Sequence, residues 1–268
     1  MQLTVLCDNN TIIDQYFLGE PAVSYFIEGD GLRILFDAGY SDIFLKNAAK
    51  RNIDLNDLTH IILSHGHNDH TLGLKYLFAE TEQKNTSLIC HPDCLLPKLY
   101  DGEDIGSPYK PNVIENHCEY RPSAEPVWLN ESCVFLGEIP RTVDFEPYSP
   151  IGTTVKNGEE QPDILKDDTA IAFKTEKGIF IVTGCSHSGI CNICEYAKKI
   201  CGDERIRGVI GGFHLMQRGE RVIKTAQYLK NQKIARLYPC HCVPLFAKIE
   251  LAKLNPIKEI GVGTRIDF

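Results

Sequence analysis

No apolar run in this 268-residue chain approaches the ~20 residues that a bilayer-spanning helix needs, which argues against a helical membrane protein. Basic residues are short as well. The 28 Lys and Arg stand against 36 Asp and Glu, a formal net charge of −8. That balance argues against non-specific binding to nucleic acid or to an anionic membrane, since both need clustered cations. The first residues, Met1-Gln2-Leu3-Thr4-Val5-Leu6-Cys7, lack the basic stretch and small-residue cleavage site of a secretory leader and read as a first strand. There is no internal repeat and no low-complexity tract. These absences predict a soluble cytoplasmic protein that acts on a small molecule, with neither nucleic acid nor membrane as partner. A homo-oligomer stays open.

Cysteine, by contrast, is abundant. Eleven occur, at 7, 90, 94, 118, 133, 185, 191, 194, 201, 240 and 242. An odd count in a long chain without a leader argues against a disulfide framework. Reduced core thiols are expected, with one or two near a metal. Forty-three per cent apolar and 24 per cent charged residues are ordinary for a folded domain, so 1–268 reads as a single one.

Strands are predicted at 2–7, 22–28 and 32–37, with Gly29-Asp30-Gly31 as the turn between the last two. A helix follows over 42–51, with Ser41 as its N-cap. His60-Ile61-Ile62-Leu63-Ser64 is a short apolar strand, 70–79 looks helical, and 86–90 is another strand. Between 92 and 126 the texture changes. Six of the 14 prolines fall there with little periodicity, which predicts a lid or insertion loop. Short strands at 126–129 and 133–137, then a polar loop to about 165, lead to paired apolar strands at 169–174 and 179–183. Stripes at Ile190, Ile193, Cys194, Ala197 and at Val222, Ile223, Ala226, Leu229 predict two helices, with strands at 206–211 and 234–239. Strands early and βα alternation late predict a layered α/β protein.

The chemistry concentrates in Ser64-His65-Gly66-His67-Asn68-Asp69-His70. Three imidazoles and a carboxylate fall within six residues just after a buried strand, and both groups are ordinary ligands of divalent ions. His65 and His67, two apart, cannot share a helix face, but a loop leaving a strand can aim both at one ion. Asp69 and His70 can then turn towards a second ion roughly 3.5–4 Å away.

This His-x-His-x-Asp-His pattern, preceded by a strand ending Phe36-Asp37-Ala38-Gly39, resembles the metallo-β-lactamase superfamily, and the order of elements agrees over nearly the whole chain. The resemblance implies an α/β fold, a four-layer αβ/βα sandwich, with a dinuclear metal site at one edge. Two zinc ions are the default, with manganese or iron as alternatives. It implies that His65 and His67 hold the first ion, that Asp69 and His70 hold the second, and that Asp37 supports them. Relatives carry a bridging Asp where this chain has Thr183-Gly184-Cys185-Ser186-His187. Cys185 stands in that place and reads as a near-site thiol, with a bridging thiolate as the alternative. No histidine lies between 118 and 186, so His187 becomes the third ligand of the first ion. In Leu237-Tyr238-Pro239-Cys240-His241-Cys242, His241 is the second-ion ligand. The rival reading is a separate structural zinc site with Cys191-x-x-Cys194, disfavoured because Cys194 belongs to an apolar helical stripe. His214, in Gly211-Gly212-Phe213-His214-Leu215, reads as a substrate contact or proton donor. His91 is a weaker candidate of that kind, His60 an edge or core histidine, and His117 a solvent-facing one.

Gly-Cys-Ser-His (184–187), Gly-Gly-Phe-His-Leu (211–215) and Cys-His-Cys (240–242) narrow the resemblance to a branch that includes pterin-linked ribofuranosyl-aminobenzene-phosphate synthases. Val243-Pro244 and Glu20-Pro21-Ala22 depart from that branch, both at the expected site edge. A bound divalent ion brings the pKa of its water to about 7. Asp69 would orient that water and His214 would protonate the leaving atom. A hydrolase of a small ester, thioester, lactone or phosphoester is the first expectation, with an anionic or pterin-like substrate. The synthase reaction is the second, and a non-catalytic, metal-organised binding or sensing module the third.

Overall fold

The mostly apolar sequence of Gln2–Cys7 forms the first strand, and the later elements track the predicted alternation closely before departing from it in the middle of the chain. In a computed structural model that describes residues 1–146 and 149–268, the strands open with β1 (Gln2–Cys7), β2 (Ser24–Gly29), β3 (Leu32–Phe36), β4 (His60–Ile62) and β5 (Ser87–Cys90). Next come β6 (Lys98–Tyr100), β7 (Glu103–Asp104), β8 (Glu119–Pro122), β9 (Val127–Trp128) and β10 (Cys133–Phe135). The rest are β11 (Thr153–Lys156), β12 (Glu159–Pro162), β13 (Ala170–Thr175), β14 (Gly178–Thr183), β15 (Ile206–Gly211), β16 (Arg236–Pro239) and β17 (Arg265–Asp267). The helices are α1 (Ile43–Lys50), α2 (Asn68–Thr71), α3 (Leu74–Glu80), α4 (Pro111–Ile114), α5 (Ile190–Cys201), α6 (Glu220–Asn231) and α7 (Leu245–Ala252). Part of the polar loop expected before 165, positions 147 and 148, lies outside the described residues.

The chain divides into two compact units. The first comprises Met1–Ala124, Pro150–Asp167 and Gly261–Phe268, and the second Glu125–Ser149 and Asp168–Ile260. The first unit holds a seven-stranded sheet in the order β17-β1-β2-β3-β4-β5-β8 and a four-stranded sheet β12-β11-β6-β7. In the larger sheet β3, β4 and β5 run parallel, with Phe36, Ile62 and Ile89 in register. Asp37, His65 and His91, which come after these residues in the chain, therefore leave the sheet from the same edge. Its core packs Leu6, Phe26, Leu35 and Ile61 with Phe44 of α1 and Leu77 of α3.

Two predicted helices begin differently from expectation. α1 begins one residue later than expected, with Asp42 at its N-cap position, while the Ser41 hydroxyl accepts from Ile43 N at 3.4 Å and donates to Glu20 Oε2 at 2.6 Å. The helix expected at 70–79 is broken into α2 and α3, and at the break Gly73 N donates to Gly39 O. The stretch 92–126 carries β6, β7, α4 and β8, and the expected polar loop carries the β11–β12 hairpin. β12 is exposed along its length, so it has no buried face to leave a period-2 signature.

In the second unit one sheet runs β16-β15-β14-β13-β10-β9. β14, β15 and β16 are parallel, with Ile210 paired to both Val182 and Tyr238, and α5 and α6 supply the crossovers. The Glu146 carboxylate accepts from Cys191 N at 3.0 Å and Asn192 N at 2.9 Å, satisfying amides that the start of α5 leaves unpaired. Ile181, Val209, Phe213, Ile193 and Leu229 lie in the core of this unit. All eleven cysteines are free thiols, and only Cys242 is not fully buried. Among the described residues no helix is long and apolar enough to cross a membrane.

Candidate functional site

The sharp exit from β4 is built around Asp37. Its carboxylate accepts from Ser64 N and Ser64 Oγ, both at 2.7 Å, and meets His70 Nδ1 at 2.7 Å. Ser64 Oγ also lies 3.0 Å from His65 Nδ1. These contacts orient His65 and His70 from behind, as buried carboxylates and hydroxyls do for ligating imidazoles. His65 Nε2 and His67 Nδ1 face each other at 3.0 Å, and the His65 and His70 rings lie 4.2 Å apart. Ligand atoms of His65, His67 and Asp69 all fall within 4.8 Å of one another. His70 Nε2 approaches Asp69 Oδ2 at 3.4 Å.

Gly66, between the two metal-type histidines, is a close-approach position. A Cβ there would stand 1.9 Å from Cys94 O. Its N–H donates to Asp167 Oδ2 at 2.8 Å, and the other oxygen of Asp167 accepts from Lys98 Nζ at 3.1 Å. Lys98 is buried and donates to Asp163 as well, at 2.7 Å. The loop is thus held by a buried cation and two carboxylates beneath it.

Charge in this cluster is unevenly held. Burial, helped by the Lys98 and His70 charges, lowers the pKa of His67 to about 4, so its ring is neutral and ligand-competent at neutral pH. At His70 burial works against the charged form, but Asp69 and Asp37 outweigh it and raise the pKa well above 6.5.

The second unit gathers another cluster at the carboxyl ends of its parallel strands. Cys185 follows β14, His214 follows β15, and His241 and Cys242 follow β16. His241 Nε2 lies 3.2 Å from Cys185 Sγ, and His214 N donates to Cys242 Sγ at 3.3 Å. The rings of His187 and His214 are 4.4 Å apart. Ligand atoms of Cys185, His214 and Cys242 lie within 4.8 Å of one another. Burial alone would raise the Cys242 thiol, but Cys185, His241 and His214 outweigh it and hold the thiol well below its ordinary pKa.

Within the first unit the structure therefore brings together His65, His67, Asp69, His70 and Asp37, and within the second Cys185, His187, His214 and His241. His91 stays local, its Nδ1 accepting from Asp93 N at 3.0 Å. His117 keeps part of its surface in solvent and stacks its ring on Phe78 at 4.4 Å, so it is a packed surface histidine rather than a wholly solvent-facing one. The rival zinc site also finds no support. Cys242 groups with Cys185 and His214, whereas Cys191 and Cys194 are spent in the apolar packing of α5. Sequence reasoning passed over Lys98, Asp167 and Asp168. A lone lysine in a proline-rich stretch carries no signal, but two adjacent aspartates ahead of the apolar strand β13 are a readable one.

Residues 18–241 match the model of the metallo-beta-lactamase superfamily. Two curated proteins of Methanocaldococcus jannaschii are similar to the chain. The uncharacterized protein MJ0448 is 32% identical over 255 residues, covering 94% of both chains. The 7,8-dihydropterin-6-methyl-4-(beta-D-ribofuranosyl)-aminobenzene-5'-phosphate synthase is 32% identical over 241 residues, covering 84% of this chain and 82% of its own. Among solved structures, Tm1679, described as a metal-dependent hydrolase of the beta-lactamase superfamily, shares 27% identity at a TM-score of 0.86, covering 100% of this chain and 99% of its own. The family match over most of the length and the two relatives at 32% identity agree: this chain, with its mixed α/β fold, belongs to the metallo-beta-lactamase superfamily.

Proposed function

We propose that the protein is a metal-dependent hydrolase that uses activated water on a small, anionic ester, thioester, lactone or phosphoester. The observation that carries this reading is the convergence of His65, His67 and Asp69 donor atoms within 4.8 Å, on a loop braced from below by Asp37, Lys98 and Asp167. Two imidazoles and a carboxylate, one ring held neutral by burial, fit a divalent ion of the zinc, manganese or iron type. His65, His67, Asp69 and His70 would hold metal. The ion, when bound, supplies Lewis-acid polarisation of the attacked oxygen and a more acidic water. Asp37 and Ser64 keep the rings of His65 and His70 from turning. The Asp69 carboxylate accepts a hydrogen bond from the attacking water and orients it.

A second reading has its own observation: the 32% identical relative named as a ribofuranosyl-aminobenzene-phosphate synthase. In that case the same residues would bind a phosphorylated aminobenzene riboside and a pterin.

Metal content per chain, measured on protein purified without added metal or chelator, tests the reading. About two equivalents in the wild type, falling in His67→Ala, are expected, together with turnover on a phosphoester, thioester and lactone panel that the variant lacks. A chain that takes up no metal even on reconstitution would falsify it. Product formation from pterin and aminobenzene phosphates, without hydrolysis of the panel, would favour the synthase.

A further inference from the structure

We propose that Cys185, His214 and Cys242 form a thiolate–imidazole metal site within the second unit. The reading above assigns metal to nitrogen and oxygen donors of the first unit and gives Cys242 no role, so this assignment goes beyond it. In this assignment His214 serves as a ligand rather than as the proton donor its sequence position suggested.

The three donors come from three loops that leave neighbouring parallel strands at one sheet edge. Cys185 is three residues past Val182, and His214 and Cys242 are each four past the paired residues Ile210 and Tyr238. Register therefore delivers one donor per loop to one place, and their ligand atoms lie within 4.8 Å of one another. His214 N–H points at Cys242 Sγ from 3.3 Å, an arrangement that favours sulfur as an acceptor.

The surrounding backbone is shaped to make room for the thiols. At Gly212 a Cβ would stand 2.4 Å from Cys242 Sγ and 2.7 Å from Gly184 O, so any larger residue would displace the sulfur. Ser186, His214 and His241 all adopt positive φ, at 57°, 43° and 49°. Such strained positions gather at functional sites. Thiols that only fill a core need none of this: Cys191 and Cys194 sit on a regular helix among isoleucines and an alanine. Cys242 is also the one cysteine of eleven that is not fully buried.

Two sulfurs and an imidazole select a borderline or soft ion, zinc first, and disfavour magnesium or calcium. Three protein donors leave one position of a tetrahedral ion open for a water or a substrate atom.

Cobalt(II), a spectroscopic stand-in for zinc, tests the assignment on the full chain, stripped of metal and titrated under reducing, oxygen-free conditions. A near-ultraviolet thiolate-to-cobalt charge-transfer band is expected. It should fall by about half in Cys185→Ser and in Cys242→Ser, vanish in the double variant, and weaken in affinity in His214→Ala. His67→Ala should leave the band in place while removing metal from the first-unit histidines. Cobalt bound with ligand-field bands but no charge-transfer band, or a band unchanged in Cys242→Ser, overturns the proposal and leaves the hydrolase reading standing. No cobalt uptake at all overturns both. Should the serine variants fail to fold, zinc-dependent protection of Cys185 and Cys242 from alkylation in the wild type, mapped by peptide mass, decides the question. Equal alkylation with and without zinc overturns the proposal.

Discussion

Asp167 and Asp168 are neighbours in the chain, but the two units bury them by opposite means. Asp167, in the first unit, lies between the Lys98 ammonium and the Gly66 amide. Burial pushes its pKa up, but Lys98 outweighs burial and the net shift is downward. Asp168, in the second unit, accepts from uncharged donors, Ser188 N at 2.9 Å and Ser188 Oγ at 2.5 Å. Burial then prevails and its pKa rises to about 6. Glu146, also in the second unit and also held by amides, shifts upward for the same reason. The first unit thus sets a cation against the buried Asp167, and it places the Asp37 carboxylate behind its histidines. The second unit holds its acids with hydrogen bonds and sets thiols beside its histidines. A dipole that donates a hydrogen bond recovers less of a buried charge's lost hydration than a full countercharge does.

Removing the cation is the harshest way to break this contrast. Lys98→Met leaves Asp163 and Asp167 buried without their partner, and should cost about 3–5 kcal/mol in urea unfolding at pH 7. The deficit should shrink towards pH 4, where Asp167, having lost its countercharge, can take up a proton instead. An equal deficit at both values would show that Lys98 contributes packing alone.

The second unit's acid gives the opposite pH signature. The folded pKa of Asp168, about 6, lies above its ordinary 3.8, so the folded state binds more protons between these values. Its contribution to stability is therefore best below pH 4 and declines as pH rises through 6. In Asp168→Asn that decline should be absent. From pH 3.5 to 7 the variant should gain on the wild type by up to about 3 kcal/mol, read from paired denaturation curves. Parallel curves across the range would mean that Asp168 titrates normally.

The finest test asks whether carboxylate backing matters to the first unit's histidines for charge or only for shape. Asp37→Asn keeps the shape and removes the charge behind His70. Metal affinity should drop about 10–100-fold while the fold survives. Calorimetric titration with zinc measures it, and an unchanged affinity would leave Asp37 as a purely structural brace for Ser64.

Much of this was legible in the amino-acid order. The His65–His70 segment announced itself because candidate ligand residues delivered by one turn are close in sequence. α5 and α6 were visible through their apolar stripes, and β13 and β14 through paired apolar runs. The hairpin β11–β12 was not, since exposed strands pair through the backbone and need no alternation. Lys98 was equally silent, because nothing in a sequence marks which lysine will be buried against an acid 65 residues away.

Local chemistry alone thus determined most of the strand-and-helix alternation, the reduced state expected of the thiols and the first unit's candidate donor residues. Tertiary structure decided what each ionisable group does. The contrast between Asp167 and Asp168, the neutral ring of His67, and the meeting of Cys185 with Cys242 across 57 residues all depend on strand register and burial. Those set the distances to charges and to water, which no local pattern encodes.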